Sequence, residues 1–199
     1  MNKTKHVLII PGLGDKTFLL QKITNNWTKK YNLIPHVVAF GWKNNNQTFD
    51  EGMKKLNTEL NNLYTSNGKI ILIGTSAGGS AAINLYIENK EKVEKVINVC
   101  GRLIKGENVK PTLEESAKNS KSFYKSVLTC EENLKKLTKE DKEKILNIAG
   151  LYDEIVPTKT TLFKGMNNKR VFSVFHATNI TNTLTIYSKV LIRKLHKSI

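Results

Sequence analysis

Residues 70–82 read IILIGTSAGGSAA: four branched apolar residues, a serine with glycine two places away on either side, then a run of small residues. The apolar run has the character of a buried strand, and the alanine-rich stretch from Ala77 to about Glu88 that of a helix. A strand that turns sharply into a helix strains the residue at the turn and pushes its side chain outward. Side chains two places to either side would collide, which explains Gly74 and Gly78. Strand, G-x-S-x-G and helix together form the pattern of a nucleophile elbow. The following helix also aims backbone N–H groups at any negative charge that develops there. Ser76 is therefore the candidate nucleophile. The plainer alternative is a glycine-rich turn with an idle serine.

Working outward, short β-branched runs alternate with helical spacing. VLII (7–10), IPHVVAF (34–40), KIILI (69–73), KVINV (95–99), KILNIA (144–149) and RVFSVF (170–175) read as strands. FLLQKITNNWTKKY (18–31) places Leu19, Ile23 and Trp27 four apart. Met53, Leu56, Leu60 and Leu63 line another helix face, and Leu184, Tyr187, Leu191 and Leu195 a last one from Thr181 onward. Between Gly101 and Asp141 no strand is visible. Two Thr-x-x-Glu capping boxes, Thr112 with Glu115 and Thr129 with Glu132, mark that segment as helical. The expected architecture is α/β: a mostly parallel sheet of about six strands flanked by helices. It forms a single domain over 1–199 with a helical insertion at 101–141 that could act as a lid. Ligands in such folds sit at the carboxyl ends of the strands.

A serine hydroxyl needs a base, and the base needs an acid to orient it. Of four histidines, His6 precedes the first strand, His36 begins the second and His196 lies in the lysine-rich final turn. His176 alone follows a strand, at the same sheet edge as Ser76, and is the expected base. Asp153 follows KILNIA across Gly150-Leu151-Tyr152 and is the expected acid; Glu154 beside it is expected to point elsewhere. Val156-Pro157 then steadies the loop. Two N–H donors are expected to hold an oxyanion, that of Ala77 and that of Leu13 in Pro11-Gly12-Leu13-Gly14-Asp15. Gly12 and Gly14 allow close approach to a substrate. Trp42, Phe123 and Tyr124 either wall and roof the pocket or belong to the core. The same loop resembles the start of a dinucleotide fingerprint, but Thr17 stands where the third glycine belongs, and no acid lies between Asp15 and Asp50. A phosphate-binding loop also fails, since Asp15 separates Gly14 from Lys16.

The order strand–GTSAG–helix, then Asp153, then His176, resembles the α/β-hydrolase superfamily over nearly the whole chain, in its compact single-domain form. The resemblance implies a triad of Ser76, Asp153 and His176, with Leu13 and Ala77 binding the oxyanion and no metal or cofactor. Two departures stand out. Many members have His-Gly where this chain has Pro11-Gly12, and many have histidine where it has Thr75. The activity implied is hydrolysis of a carboxylic ester or related acyl compound through an acyl-serine. An acyltransferase, thioesterase or peptidase with the same triad remains open, as does a non-catalytic binding scaffold.

Composition narrows the rest. The 199 residues are 39% hydrophobic and 25% charged, ordinary for a globular protein. Cys100 and Cys130 fit neither a metal spacing nor a disulfide framework, which suits a reducing, cytoplasmic setting. The apolar run at 7–10 is too short for a signal segment or a membrane span. A net charge of +15 from 32 basic and 17 acidic residues is the unusual bulk property. The lysines are mixed with acids, as in ENKEKVEK (88–95), and no nucleic-acid motif is present, so no nucleic-acid partner is expected. The expected partner is a small acyl substrate. An anionic one would suit lysines 105, 110, 118, 121 and 125 of the insertion.

Overall fold

The apolar runs assemble into one six-stranded sheet in the structure, a computed structural model that describes residues 4–44, 47–64, 68–189 and 191–192. The strands are β1 (Lys5–Ile10), β2 (Leu33–Val37), β3 (Ile70–Thr75), β4 (Val93–Val99), β5 (Ile145–Tyr152) and β6 (Asn167–Val174). Their order is β2-β1-β3-β4-β5-β6, and every neighbouring pair is parallel. Alternate residues point to opposite faces, and both faces are covered. Leu8, Ile10, Ile70 and Leu72 enter one core, while Val7, Ile9, Ile71 and Ile73 enter the other. That double burial is why these strands carry unbroken apolar runs rather than alternating ones.

The first core is closed by α3 (Phe49–Leu63), α4 (Gly78–Glu88) and α6 (Lys121–Lys135), the second by α1 (Thr17–Thr24), α2 (Trp27–Tyr31) and α9 (His176–Leu184). Short helices α5 (Leu113–Ser116), α7 (Lys139–Lys144) and α8 (Thr158–Thr161) complete the described elements. Among the described residues no helix is long and apolar enough to cross a membrane.

Several local expectations change. The single helix expected at 18–31 is two, broken at Asn25-Asn26 after Thr24 turns its hydroxyl back onto the Leu20 carbonyl at 2.8 Å. Such side chains compete with the backbone for hydrogen bonds. Leu20 rather than Leu19 then faces the core. Strand β2 stops at Val37, not Phe40, because the N–H groups of Phe40, Gly41 and Trp42 go to the Asp15 carboxylate, each at 2.9 Å. Thr129 and Glu132 lie inside α6, where the helix already satisfies the backbone. Ser120 caps that helix instead, accepting from the Phe123 N–H at 3.1 Å. The Thr112–Glu115 box does open a helix. The last helical segment starts at His176, not Thr181, and Leu195 lies outside the described residues.

The 101–141 segment packs as a layer of the body. Ser80 and Ser126 hydroxyls meet at 2.8 Å, and the Asn84 side chain donates to the Ser126 carbonyl at 3.0 Å, joining α4 to α6. Buried Arg102 holds the preceding loop by donating to the carbonyls of Ile104, Lys105 and Pro111 and to the Ser116 hydroxyl.

Candidate active site

The chain leaves β1 toward β2 on one side, and leaves β3 toward β4 on the other. The two exits diverge between β1 and β3, which opens a crevice at their carboxyl ends. Ser76 stands there, between β3 and α4, with φ of +52°. A β-carbon on Gly74 would strike the Gly78 backbone, and one on Gly78 would strike the Ile10 carbonyl. Both glycines are thus required by space, as the turn implies. A β-carbon on Gly12 would come within 2.7 Å of the Ser76 β-carbon, so the loop after β1 lies directly against the serine.

The structure brings Ser76, His176 and Asp153 together. His176 Nε2 lies 2.8 Å from Ser76 Oγ, and His176 Nδ1 lies 2.8 Å and 3.0 Å from the two Asp153 oxygens. With the carboxylate ionised, Nδ1 holds the ring proton and donates it to Asp153. Nε2 is then left to accept from the serine O–H. Asp153 Oδ1 also accepts the N–H groups of Ile155 at 3.1 Å and Val156 at 2.8 Å. Both side chains are buried, Asp153 at 3% exposure and His176 at 9%. The other histidines have different surroundings. His36 does not begin its strand: it is next to last in β2, opposite Leu8, and hydrogen-bonds at 3.0 Å to His6 near the start of β1. Burial, and then the neighbouring His6, lower the His36 pKa. His196 lies outside the described residues. Cys100 is no rival nucleophile, because burial pushes its thiol up to about 12 and the Asp153 charge acts in the same direction.

The expected oxyanion donors lie on the two exits. Ala77 follows Ser76 and precedes α4. Leu13 sits in a turn closed by the Asp15 N–H on the Gly12 carbonyl at 2.8 Å. That loop is fixed from outside by the Asp15 carboxylate on 40–42 and by Trp42 Nε1, which donates to the Pro11 carbonyl at 2.9 Å. Nothing in the sequence spacing shows this strap, since its partners are 25–31 residues apart.

Beside the triad lies a cavity of about 360 Å³, lined by Gly12, Leu13, Gly14, Lys16, Leu19, Leu20, Ile23, Ile155, Ala177, Ile180 and Thr181 together with Ser76 and His176. The cavity runs between α1 and α9, and no residue of 101–141 lines it. For three residues this decides between the two expected places, pocket wall or core, in favour of the core. Trp42, 1% exposed, stacks on Phe40 with ring centroids 3.8 Å apart. Phe123 meets its edge in the same core, and Tyr124 packs against that core. None of the three walls or roofs the cavity; Trp42 acts one step back, through Pro11. The expected entry lysines also fail to reach it, and two are paired, Lys105 with Glu114 at 2.7 Å and Lys110 with Glu115 at 3.0 Å. A larger cleft of about 1150 Å³ under residues 104–114 contains none of the triad.

Glu154 does not point elsewhere. Its Oε2 accepts the backbone N–H of His176 at 2.9 Å. Sequence reasoning had no signal for this, because two adjacent acids converge on one residue only through a turn. No group of three or more side chains able to hold a metal ion occurs among the described residues.

No family model matches the sequence, and no curated protein matches it. Solved structures do. A monoacylglycerol lipase from Paleococcus ferrophilus superimposes with a TM-score of 0.62 at 16% identity, covering 97% of this chain and 95% of that one. A meta-cleavage product hydrolase from Pseudomonas fluorescens gives 0.63 at 16% identity, covering 99% and 92%. A hydrolase from Oleispira antarctica gives 0.65 at 12% identity, covering 98% and 92%. At such identities the likeness is one of fold.

Proposed function

We propose, from the premise that this chain has the fold of the α/β-hydrolase superfamily, that it is a serine hydrolase cleaving a carboxylic ester with an apolar acyl chain. The observation that carries this reading is the continuous hydrogen-bond chain from Ser76 Oγ through His176 to Asp153. A strained turn and a buried acid are arranged around it, at a geometry suited to proton transfer.

In this reading Ser76 Oγ attacks the ester carbonyl carbon while its proton passes to His176 Nε2. The carbonyl oxygen becomes an oxyanion, held by the N–H groups of Ala77 and Leu13. The C–O bond to the alcohol then breaks, and the Nε2 proton goes to the departing oxygen. Water attacks the acyl-serine, losing a proton to the same nitrogen. Breakdown of the second oxyanion releases the acid and returns the proton to Ser76. Asp153 stays ionised throughout, keeping the ring in its tautomer and stabilising the imidazolium. The acyl chain would lie along Leu13, Leu19, Ile23 and Ile180.

The test is a fluorophosphonate probe followed by p-nitrophenyl esters of increasing chain length. Ser76 should be labelled, and kcat/KM should rise about fourfold per methylene, from about 0.8 kcal/mol per buried CH2, until the cavity is full. Absence of labelling would leave a binding scaffold. A flat response to chain length would remove the apolar-acyl part alone.

A further inference from the structure

Two consecutive carboxylates hold the two ends of one histidine. Asp153 takes the ring at Nδ1, and Glu154 takes the backbone N–H at 2.9 Å. That N–H is the first of α9 and has no partner within its own helix. The preceding residue, Phe175, has φ of +67°, a conformation that side chains other than glycine rarely adopt. The chain thus turns tightly to leave β6, and His176 sits where that turn meets the first residue of α9. Phe175 itself is 57% exposed, so packing alone does not hold the turn. A charged acceptor at a helix N-terminus also benefits from the aligned peptide dipoles. The loop that carries both acids is itself fixed, by Asp153 Oδ1 on the Ile155 and Val156 N–H groups and by the Asn179 side chain on the Tyr152 carbonyl at 2.9 Å.

We infer that Glu154 is a positioning residue for the reaction: it sets the height and tilt of the imidazole over Ser76 by anchoring the His176 backbone. The inference rests on the hydrolase reading above. Asp153 alone fixes the ring about one bond. A rigid body held at one point can still pivot, and the Nε2–Oγ distance is what a pivot would change. Misplacement of a reacting group by about 1 Å can cost on the order of a hundredfold.

The experiment compares Glu154→Ala and Glu154→Gln with wild type, each measured well below its own melting temperature. Glu154→Ala removes the acceptor and should lower kcat about 10- to 100-fold with KM nearly unchanged, and should slow fluorophosphonate labelling in proportion. Glu154→Gln keeps an acceptor oxygen and should recover kcat to within about fivefold of wild type. A purely structural cap would lower the melting temperature of the alanine variant without touching kcat. The downfield proton resonance of the His176 Nδ1–H, read by NMR, should broaden or shift in Glu154→Ala and persist in Glu154→Gln. An alanine variant with kcat within twofold of wild type, or an unshifted resonance, overturns the proposal, as does a glutamine variant no better than alanine. Failure of the wild type to label would remove the hydrolase reading, while the resonance comparison would still decide what Glu154 does.

Discussion

The two halves of the site are built by different means. Ser76 is placed by backbone: a buried strand, a helix, and glycines where a β-carbon would strike the neighbouring backbone. Its sequence signature lies within a few residues of chain, although the loop after β1 packs directly against it. Asp153 and His176 are placed by side-chain hydrogen bonds between two loops 23 residues apart, among exposed Tyr152, Ile155 and Phe175. The first half can be rebuilt only by refolding the elbow. The second can be loosened one contact at a time. Substitutions at the elbow itself should therefore act all or none, and those in the histidine half by degrees.

The sharpest break is Ser76→Ala, expected to lower turnover by about a million-fold, as loss of a triad nucleophile can, and to abolish fluorophosphonate labelling. Folding should persist, since among the described residues the hydroxyl's one partner is His176. A companion substitution isolates the strain. Ser76→Gly relieves the left-handed backbone, which costs a non-glycine residue about 1–2 kcal/mol, and should raise the melting temperature while remaining inactive. A glycine variant less stable than wild type would mean the elbow is not strained. A tenth of the activity surviving in Ser76→Ala would remove the serine from the chemistry.

Next in size is Asp153→Asn, in the histidine half. An amide keeps the shape but favours the wrong ring tautomer, a change worth about ten-thousand-fold in kcat. Its thermal midpoint should move little, because the amide oxygen can still accept the Ile155 and Val156 N–H groups. Activity within a few-fold of wild type would show that His176 does not depend on Asp153 for its tautomer.

These differences track what was legible in the sequence. The sheet was readable because each strand, buried on both faces, leaves an apolar run. Ser76 was readable because steric demand writes glycine at fixed offsets. Asp153 and His176 were readable only as ends of strands, from their order along the chain. Contacts that depend on how a loop turns left no periodic trace. Glu154 was expected to point away, and Asp15 counted only as the residue that broke a phosphate-binding pattern between Gly14 and Lys16. Trp42 was open between substrate wall and core, and its indole is spent on the Pro11 carbonyl. The insertion was legible as helical but not in where it packs. The polar contacts that seat α6 on α4, Ser126 with Ser80 and Asn84, have no spacing that announces them.

Asp15 tests whether the serine half is as self-contained as its motif suggests. Its carboxylate collects three N–H groups from residues 40–42 and so holds the loop that carries Leu13. Asp15→Ala should lower kcat about a hundredfold, comparable to losing one oxyanion donor, and cost about 1–3 kcal/mol of stability from N–H groups left without their acceptor. KM should change less than kcat, because the donor acts on the developing charge. A stability loss with kcat intact would mean that Leu13 stays in place without the strap, or is not a donor.

The smallest effect concerns charge, and it separates the cavity from the rest of a strongly basic surface. Among the described residues Lys16 is the one lysine lining the cavity and no acidic side chain lines it, and the lysine's stem lies beside Gly14. The insertion lysines that looked suited to steering substrate line a different face or are already paired. Exposed charges are screened over about 10 Å at 0.1 M salt, so only a nearby cation should matter at that ionic strength. Lys16→Gln should therefore raise KM for an ester bearing a carboxylate by about three- to fivefold, the scale of one exposed charge pair, and leave a neutral ester of equal length unchanged. Replacing Lys118, Lys121 and Lys125 together by glutamine should alter neither. If the triple variant changed KM for the anionic ester as much as Lys16→Gln did, the whole basic surface would be acting through its long-range field, and the cavity itself would have no preference for charge.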